Sequence, residues 1–155
     1  MEKTIKINYQ EFSSVDDLTP SDRQLLDQAI AATATAYSPY SQFSVGAAVR
    51  LEGGIIVTGS NQENMAYPSG LCAERTAMFA ASAQHPGLAF EALCIVARNA
   101  EGQLTGASPC GACRQVMAEY EHKSQRKMRV VLYWEGGKVL VFEGVDSLLP
   151  FVFSF

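Results

Sequence analysis

The sequence predicts an α/β fold, a mixed β-sheet sandwiched between helices, in a single domain over residues 1–155. Three observations carry this expectation. Segments with apolar residues at helical spacing alternate through the middle of the chain with short apolar runs, as in helices laid on a sheet. The run "EALCIVAR" (91–98) is apolar without a break from Ala92 to Ala97, as strands covered on both faces are. Two glycine pairs, Gly53-Gly54 and Gly136-Gly137, each divide two strand-like runs in the manner of a hairpin turn. A chain of 155 residues is long enough to bury a core without disulfide staples.

Taken in order, the first nineteen residues form an N-terminal extension. Within it, "TIKINY" (4–9) alternates Ile5, Ile7 and Tyr9 with polar residues and reads as a short strand, able to add an edge to the sheet. "TPSDRQLLDQAIAATATAY" (19–37) opens with helix-start signals: Thr19 or Ser21 to cap, Pro20 in the first turn, and Asp22 favoured by the dipole. Leu25, Leu26, Ala29, Ile30 and Thr33 then make its apolar face. "SPYSQ" (38–42) breaks the pattern, and 43–61 reads as a hairpin turning at Gly53-Gly54. "SGLCAERTAMFAASAQ" (69–84) is helical, with Ser69 as the candidate cap. A strand at 91–98 precedes a helix that starts at Pro109, and two further strands flank Gly136-Gly137.

Charge and targeting signals narrow the function. Twelve basic against sixteen acidic residues give a net charge of −4, so no basic field attracts a phosphate backbone; a free metabolite is the expected partner, not a nucleic acid. No stretch of about 18 apolar residues suggests a membrane span. "MEKTIKINYQ" lacks the apolar core of a secretory signal, which predicts a cytoplasmic protein. Four cysteines in a reducing compartment are then metal ligands, catalytic groups or buried thiols.

Their spacing sorts them. Cys110 and Cys113, three apart at a helix start, share one face. Alone, such a pair is equally half of a structural zinc site or a redox pair, although it lies late in the chain for the latter. Cys94 sits inside an apolar run and reads as a core thiol. Cys72, Cys110 and Cys113 remain: three thiols and one open position, which is how a catalytic zinc site differs from a closed structural one. Both clusters fall at expected helix N-termini, where the dipole favours thiolates. Three thiolates leave Zn²⁺ with a net local charge of −1, and Arg75 is the candidate counter-charge. Glu74 is the candidate proton carrier beside the metal. Residues i and i+2 of a helix do not share a face, so Cys72 and Glu74 converge only if the helix begins near Cys72.

Cys-Ala-Glu followed at a distance by Pro-Cys-x-x-Cys is the zinc-deaminase signature. With "YSPYSQFSVGAA" (37–48), "NQENMAYPSGLCAERTA" (61–77), "SPCGACRQVMAE" (108–119) and "LLP" (148–150), the chain from about residue 20 onward closely resembles cytidine deaminases of the small homotetrameric type. The resemblance implies a three-layer α/β/α sandwich around a mixed sheet of about five strands. It implies one zinc per chain on Cys72, Cys110 and Cys113, with Arg75 hydrogen-bonded to the cysteine sulfurs. Glu74 is implied to carry a proton to N3 of the cytosine ring and later to the departing amine. Asn61 and Glu63 are implied to bind the ribose hydroxyls, and Phe43 to stack on the base. The reaction implied is hydrolytic deamination of cytidine and deoxycytidine to uridine and deoxyuridine with release of ammonia, a step of pyrimidine salvage.

The chain end, "SLLPFVFSF", places Phe151, Phe153 and Phe155 in the last five residues, where ends are usually polar. Such an apolar patch suggests an interface, and the resemblance implies that Phe153 reaches the active site of a neighbouring subunit in a homotetramer. Met65 stands where the family usually has a small residue, while His85 and His122 match no ligand position. On the residues alone, Phe43 is equally a hairpin core residue, and Asn61 with Glu63 a polar turn. Two rival readings keep the zinc signature: a blasticidin S-type deaminase, disfavoured by the Arg-Thr-Ala continuation of "CAERTA", and a non-catalytic zinc-stabilised module, disfavoured by Glu74.

Overall fold

A computed structural model of the chain describes residues 1–154; the expectation for Phe155 lies outside them. The sheet has seven strands, not about five: β1 (Gln10–Phe12), β2 (Ser44–Leu51), β3 (Ile56–Ser60), β4 (Phe90–Arg98), β5 (Leu104–Thr105), β6 (Arg129–Tyr133) and β7 (Val139–Phe142). The order is β1-β7-β6-β4-β2-β3, with β5 paired to the end of β4. Only β4 and β6 run parallel; the other pairs are antiparallel. The two additional strands are short, and β5, with two residues, is below the length at which alternation can be read.

The N-terminal strand is displaced from its expected place. Residues 4–9 are exposed and outside any strand, and the edge is formed by the next three residues. Register explains the shift. Gln10 faces Val141 and Phe12 faces Val139, so Tyr9 falls level with the end of β7, and its ring tilts against Phe142 with centroids 5.4 Å apart. Ile5 and Ile7 lie beyond the last residue of β7, where the chain soon turns into a 3-10 helix over Val145–Ser147.

Three α-helices cover the sheet: α1 (Pro20–Ala32), α2 (Ala73–Gln84) and α3 (Gly111–Ser124). Thr19 caps α1, accepting the Asp22 N–H at 3.2 Å, with Pro20 at the first position. Strand alternation divides the core into two layers. Leu93 and Ile95 of β4, Val130 and Leu132 of β6, and Val49 of β2 pack with Ala77, Met78 and Met117 of α2 and α3. Cys94, Val96, Val131 and Ala48 face the other way, onto Leu25, Leu26 and Ala29 of α1. Cys94 is therefore a core thiol, and burial drives its pKa up. A buried ion pair, Asp22 with the guanidinium of Arg129 at 3.0 Å, ties α1 to β6. Gly59 on β3 lets α2 approach the sheet: a Cβ there would lie 2.4 Å from the Ala77 nitrogen. Among the described residues no helix is long and apolar enough to cross a membrane.

Candidate active site

Two helix N-termini meet at one point. Cys72 is the N-cap of α2 and Cys110 the N-cap of α3, each with extended backbone dihedrals. Ser69, the expected cap of α2, instead ends a 3-10 turn over Tyr67–Ser69. The delay has a cause: Leu71 exchanges two backbone hydrogen bonds with Gln62 (2.9 and 2.8 Å), which holds the chain extended up to Cys72. Helical geometry then starts at Ala73. Because Cys72 is not itself helical, its side chain and that of Glu74 converge despite their i, i+2 spacing.

The Sγ atoms of Cys72, Cys110 and Cys113 lie within 4.8 Å of one another, with Cys110 and Cys113 3.5 Å apart. Sulfur ligands of tetrahedral zinc, at about 2.3 Å from the metal, are about 3.8 Å apart. The three thiols fit such an ion. Arg75 donates to Cys72 Sγ at 3.6 Å, and its buried Nε has no hydrogen-bond partner among the described residues. A neighbouring thiol from Cys113 and the Arg75 guanidinium hold Cys72 near a pKa of about 5 against burial, while the pKa of Cys113 is pushed up by Cys72 and burial. Thiolate charge is thus concentrated next to a cation, in the electropositive setting that favours metal ligation.

Glu74 is 5% exposed. Burial raises its pKa most, and the thiolate of Cys72 adds to the rise; its own backbone N–H and the Cys113 thiol act in the opposite direction. A carboxylate held beside thiols and displaced toward neutrality is equipped to take up and return a proton.

A cleft of about 550 Å³ opens from Cys72 and Arg75 past Asn61, Gln62 and Glu63 to a mouth formed by Tyr40 and Tyr67. The two rings meet edge-on, with centroids 6.1 Å apart. Asn61 spends its amide on β2: Oδ1 accepts the Val45 N–H and Nδ2 donates to the Phe43 carbonyl, both at 2.8 Å. Glu63 accepts the N–H groups of Tyr40 (2.9 Å) and Ser41 (3.3 Å) and the Ser41 hydroxyl. Phe43 is half-buried at the start of β2 and is not among the described residues lining this cleft. Phe153 is 73% exposed and lines a different groove, along α3. Met65 is exposed, His85 ends α2, and His122 is exposed in the last turn of α3. Sequence reasoning missed Tyr40 and Tyr67, although both lie within the motif segments.

Residues 19–128 match the family model described as the cytidine and deoxycytidylate deaminase zinc-binding region. The chain belongs to this deaminase family. A cytidine deaminase from Sporosarcina psychrophila is 48% identical over 97 residues, covering 63% of this chain and 68% of that protein. Among solved structures, the cytidine deaminase of Burkholderia pseudomallei superposes with a TM-score of 0.73 at 40% identity, over 88% of this chain and all of that one. The Mycobacterium tuberculosis cytidine deaminase superposes with a TM-score of 0.67 at 33% identity, over 85% of this chain and 96% of its own. The matched zinc-binding region contains Cys72, Cys110 and Cys113.

Proposed function

We infer that this protein hydrolyses the exocyclic amine of cytidine, and of deoxycytidine, releasing ammonia and the uracil nucleoside. The observation that carries this reading is the meeting of three thiols within 4.8 Å of one another beside the buried carboxylate of Glu74. Zinc, one ion per chain, supplies Lewis acidity and an acidified water when held by Cys72, Cys110 and Cys113. Arg75 balances the excess negative charge of the thiolates through its bond to Cys72. Glu74 would take one proton from the attacking water and deliver it to N3 of the cytosine ring, then take a second from the new hydroxyl on C4 and pass it to the departing amine; its raised pKa suits both directions of transfer.

The cleft beyond Cys72 receives the nucleoside. Asn61 and Glu63 keep hydrogen-bonding capacity beyond their own-chain bonds, since an amide oxygen has two lone pairs and a carboxylate about four acceptor positions. They address the ribose hydroxyls from that spare capacity. The chain works as one domain, in the cytoplasm, as a homotetramer. Support for assembly is the exposed apolar surface at Met65, Tyr67, Phe151 and Val152. In such an assembly Phe153 completes the active site of a neighbour.

The test is direct. Purified protein incubated with cytidine is expected to lose cytidine ultraviolet absorbance with stoichiometric ammonia release, to contain close to one zinc per chain, and to scatter light as four chains. Absence of zinc together with absence of turnover would overturn the reading.

A further inference from the structure

The three cysteines are held in unlike ways. Cys113 is inside a helix, and the approach to Cys72 is held by the Gln62–Leu71 backbone pair. Cys110 is the exposed member of the three, and residues 106–109 before it belong to no helix or strand. Among the described residues, no backbone–backbone hydrogen bond ties 106–109 to the rest of the fold.

One side chain takes that part. Arg114 donates from Nε to the Pro109 carbonyl (2.8 Å) and from one terminal nitrogen to the Ser108 hydroxyl (3.0 Å). From the other it donates to the Leu148 carbonyl (2.8 Å), while its backbone N–H closes the first helical bond to the Cys110 carbonyl (2.9 Å). Residues 108, 109 and 110 are thus all bonded to Arg114. The bond to Leu148, whose side chain is buried in the core, fixes the assembly to the body of the protein. A cation in the second turn of a helix opposes the macrodipole, so α3 gains nothing from it as a helix. Nor is this a carboxylate pair: all three side-chain acceptors are neutral.

We propose that Arg114 is a positioning residue for the metal centre, orienting the Pro109–Cys110 peptide so that Cys110 Sγ is presented to the ion. The guanidinium's planar fork suits the task, because three acceptors in fixed directions define the loop where an ammonium would serve only part of them. The proposal rests on the zinc deaminase reading for the identity of the ion. Groups that orient metal ligands typically cost about 10–100-fold in metal affinity when removed.

The experiment compares Arg114→Lys and Arg114→Met with Arg98→Lys in zinc-loaded protein. Arg98, the last residue of β4, serves as control because it also bonds neutral acceptors, the Thr33 hydroxyl and the Gly102 carbonyl, neither of them next in sequence to a cysteine of the cluster. Zinc transfer to a chromogenic chelator is followed at neutral pH, with thermal melting to verify folding. Both Arg114 variants are expected to release zinc about 10–100-fold faster than wild type, and to lose kcat with little change in KM, whereas Arg98→Lys releases zinc at the wild-type rate. Should the methionine variant not fold, the lysine variant still decides. Wild-type release rates in folded Arg114→Lys, or equal acceleration in Arg98→Lys, overturn the proposal. A wild-type protein that binds no zinc overturns the deaminase reading instead, and with it the identity of the ion.

Discussion

The cysteine centre and the loop around Glu63 are neighbours in one cleft, yet they use polar groups in opposite ways. At the centre, side chains are turned toward one another: three thiols share a small volume, and Arg75 Nε is buried without a hydrogen-bond partner among the described residues. At the loop, polar side chains are spent on the chain's own backbone. Asn61 bridges Phe43 and Val45, Glu63 holds Tyr40 and Ser41, and Asn64 accepts the Ala66 N–H. Buried polar groups left without partners are uncommon in folded proteins, so an incomplete cluster marks where a ligand belongs. A complete one marks a scaffold that fixes the shape of the cleft. On the reading proposed above, the first region would supply the chemistry and the second a wall against which the substrate is oriented.

The sharpest way to break this contrast is at Glu74. Glu74→Gln keeps the size and removes the proton carrier, so zinc content is expected to stay near wild type while kcat falls by about 10²–10⁴-fold, the usual worth of positioned acid–base catalysis. Elemental analysis and turnover on the same preparation test both halves. Loss of zinc along with activity would mean that Glu74 belongs to the scaffold of the centre and not to its chemistry.

The two regions were also unequally legible. Cys72, Cys110 and Cys113 could be picked out because spacing and residue type carry metal chemistry directly. Their convergence could not, because it depends on the helix starting at Cys72; the Gln62–Leu71 pair that enforces this joins residues of no distinctive type. Ser69 was a reasonable cap by composition and lost to that tertiary pairing. Ile5, Ile7 and Tyr9 alternate as a strand should, but a strand needs a partner, and β7 ends level with Tyr9. For Asn61 and Glu63 the residues alone allow a polar turn or a ribose site, and the zinc motif beside them favours the ribose site. The structure adds that their side chains anchor backbone 16 to 23 residues away, a property invisible to local pattern. Arg114 carries no local signal for a similar reason: its acceptors include a carbonyl 34 residues downstream.

A milder perturbation separates scaffold from substrate contact at Asn61. Asn61→Ala leaves the Val45 N–H and the Phe43 carbonyl without their partner, a loss of about 1–3 kcal/mol for a half-buried pair, seen as a fall in the melting temperature of several degrees. If the amide also binds the sugar, KM for cytidine rises in the fraction that remains folded, and cytosine, which has no ribose, is unaffected. A lower melting temperature with unchanged KM would assign Asn61 to the scaffold alone.

The smallest expected effect, and the finest division of the two roles, is at Glu63. A glutamine there can still turn its carbonyl oxygen to the Tyr40 and Ser41 N–H groups and its amide to the Ser41 hydroxyl, so the loop should survive Glu63→Gln. What disappears is the charge. A hydrogen bond to a charged acceptor is stronger than one to a neutral acceptor, so loss of a ribose contact predicts a rise in KM for cytidine of roughly severalfold at neutral pH with kcat unchanged. The Ser41 hydroxyl, followed by the Tyr40 and Ser41 N–H groups, holds the Glu63 carboxyl below its ordinary pKa, outweighing desolvation. Because the folded value is depressed, the stabilising contribution of the charged form is present above the unfolded pKa and is lost only as pH falls through the lower folded one. The amide resonances of Tyr40 and Ser41 should therefore titrate together with a midpoint below 4.5, and that titration should vanish in Glu63→Gln. A KM that does not move, beside an abolished titration, would leave Glu63 as the brace of the cleft mouth and transfer recognition of the sugar to other groups of the wall.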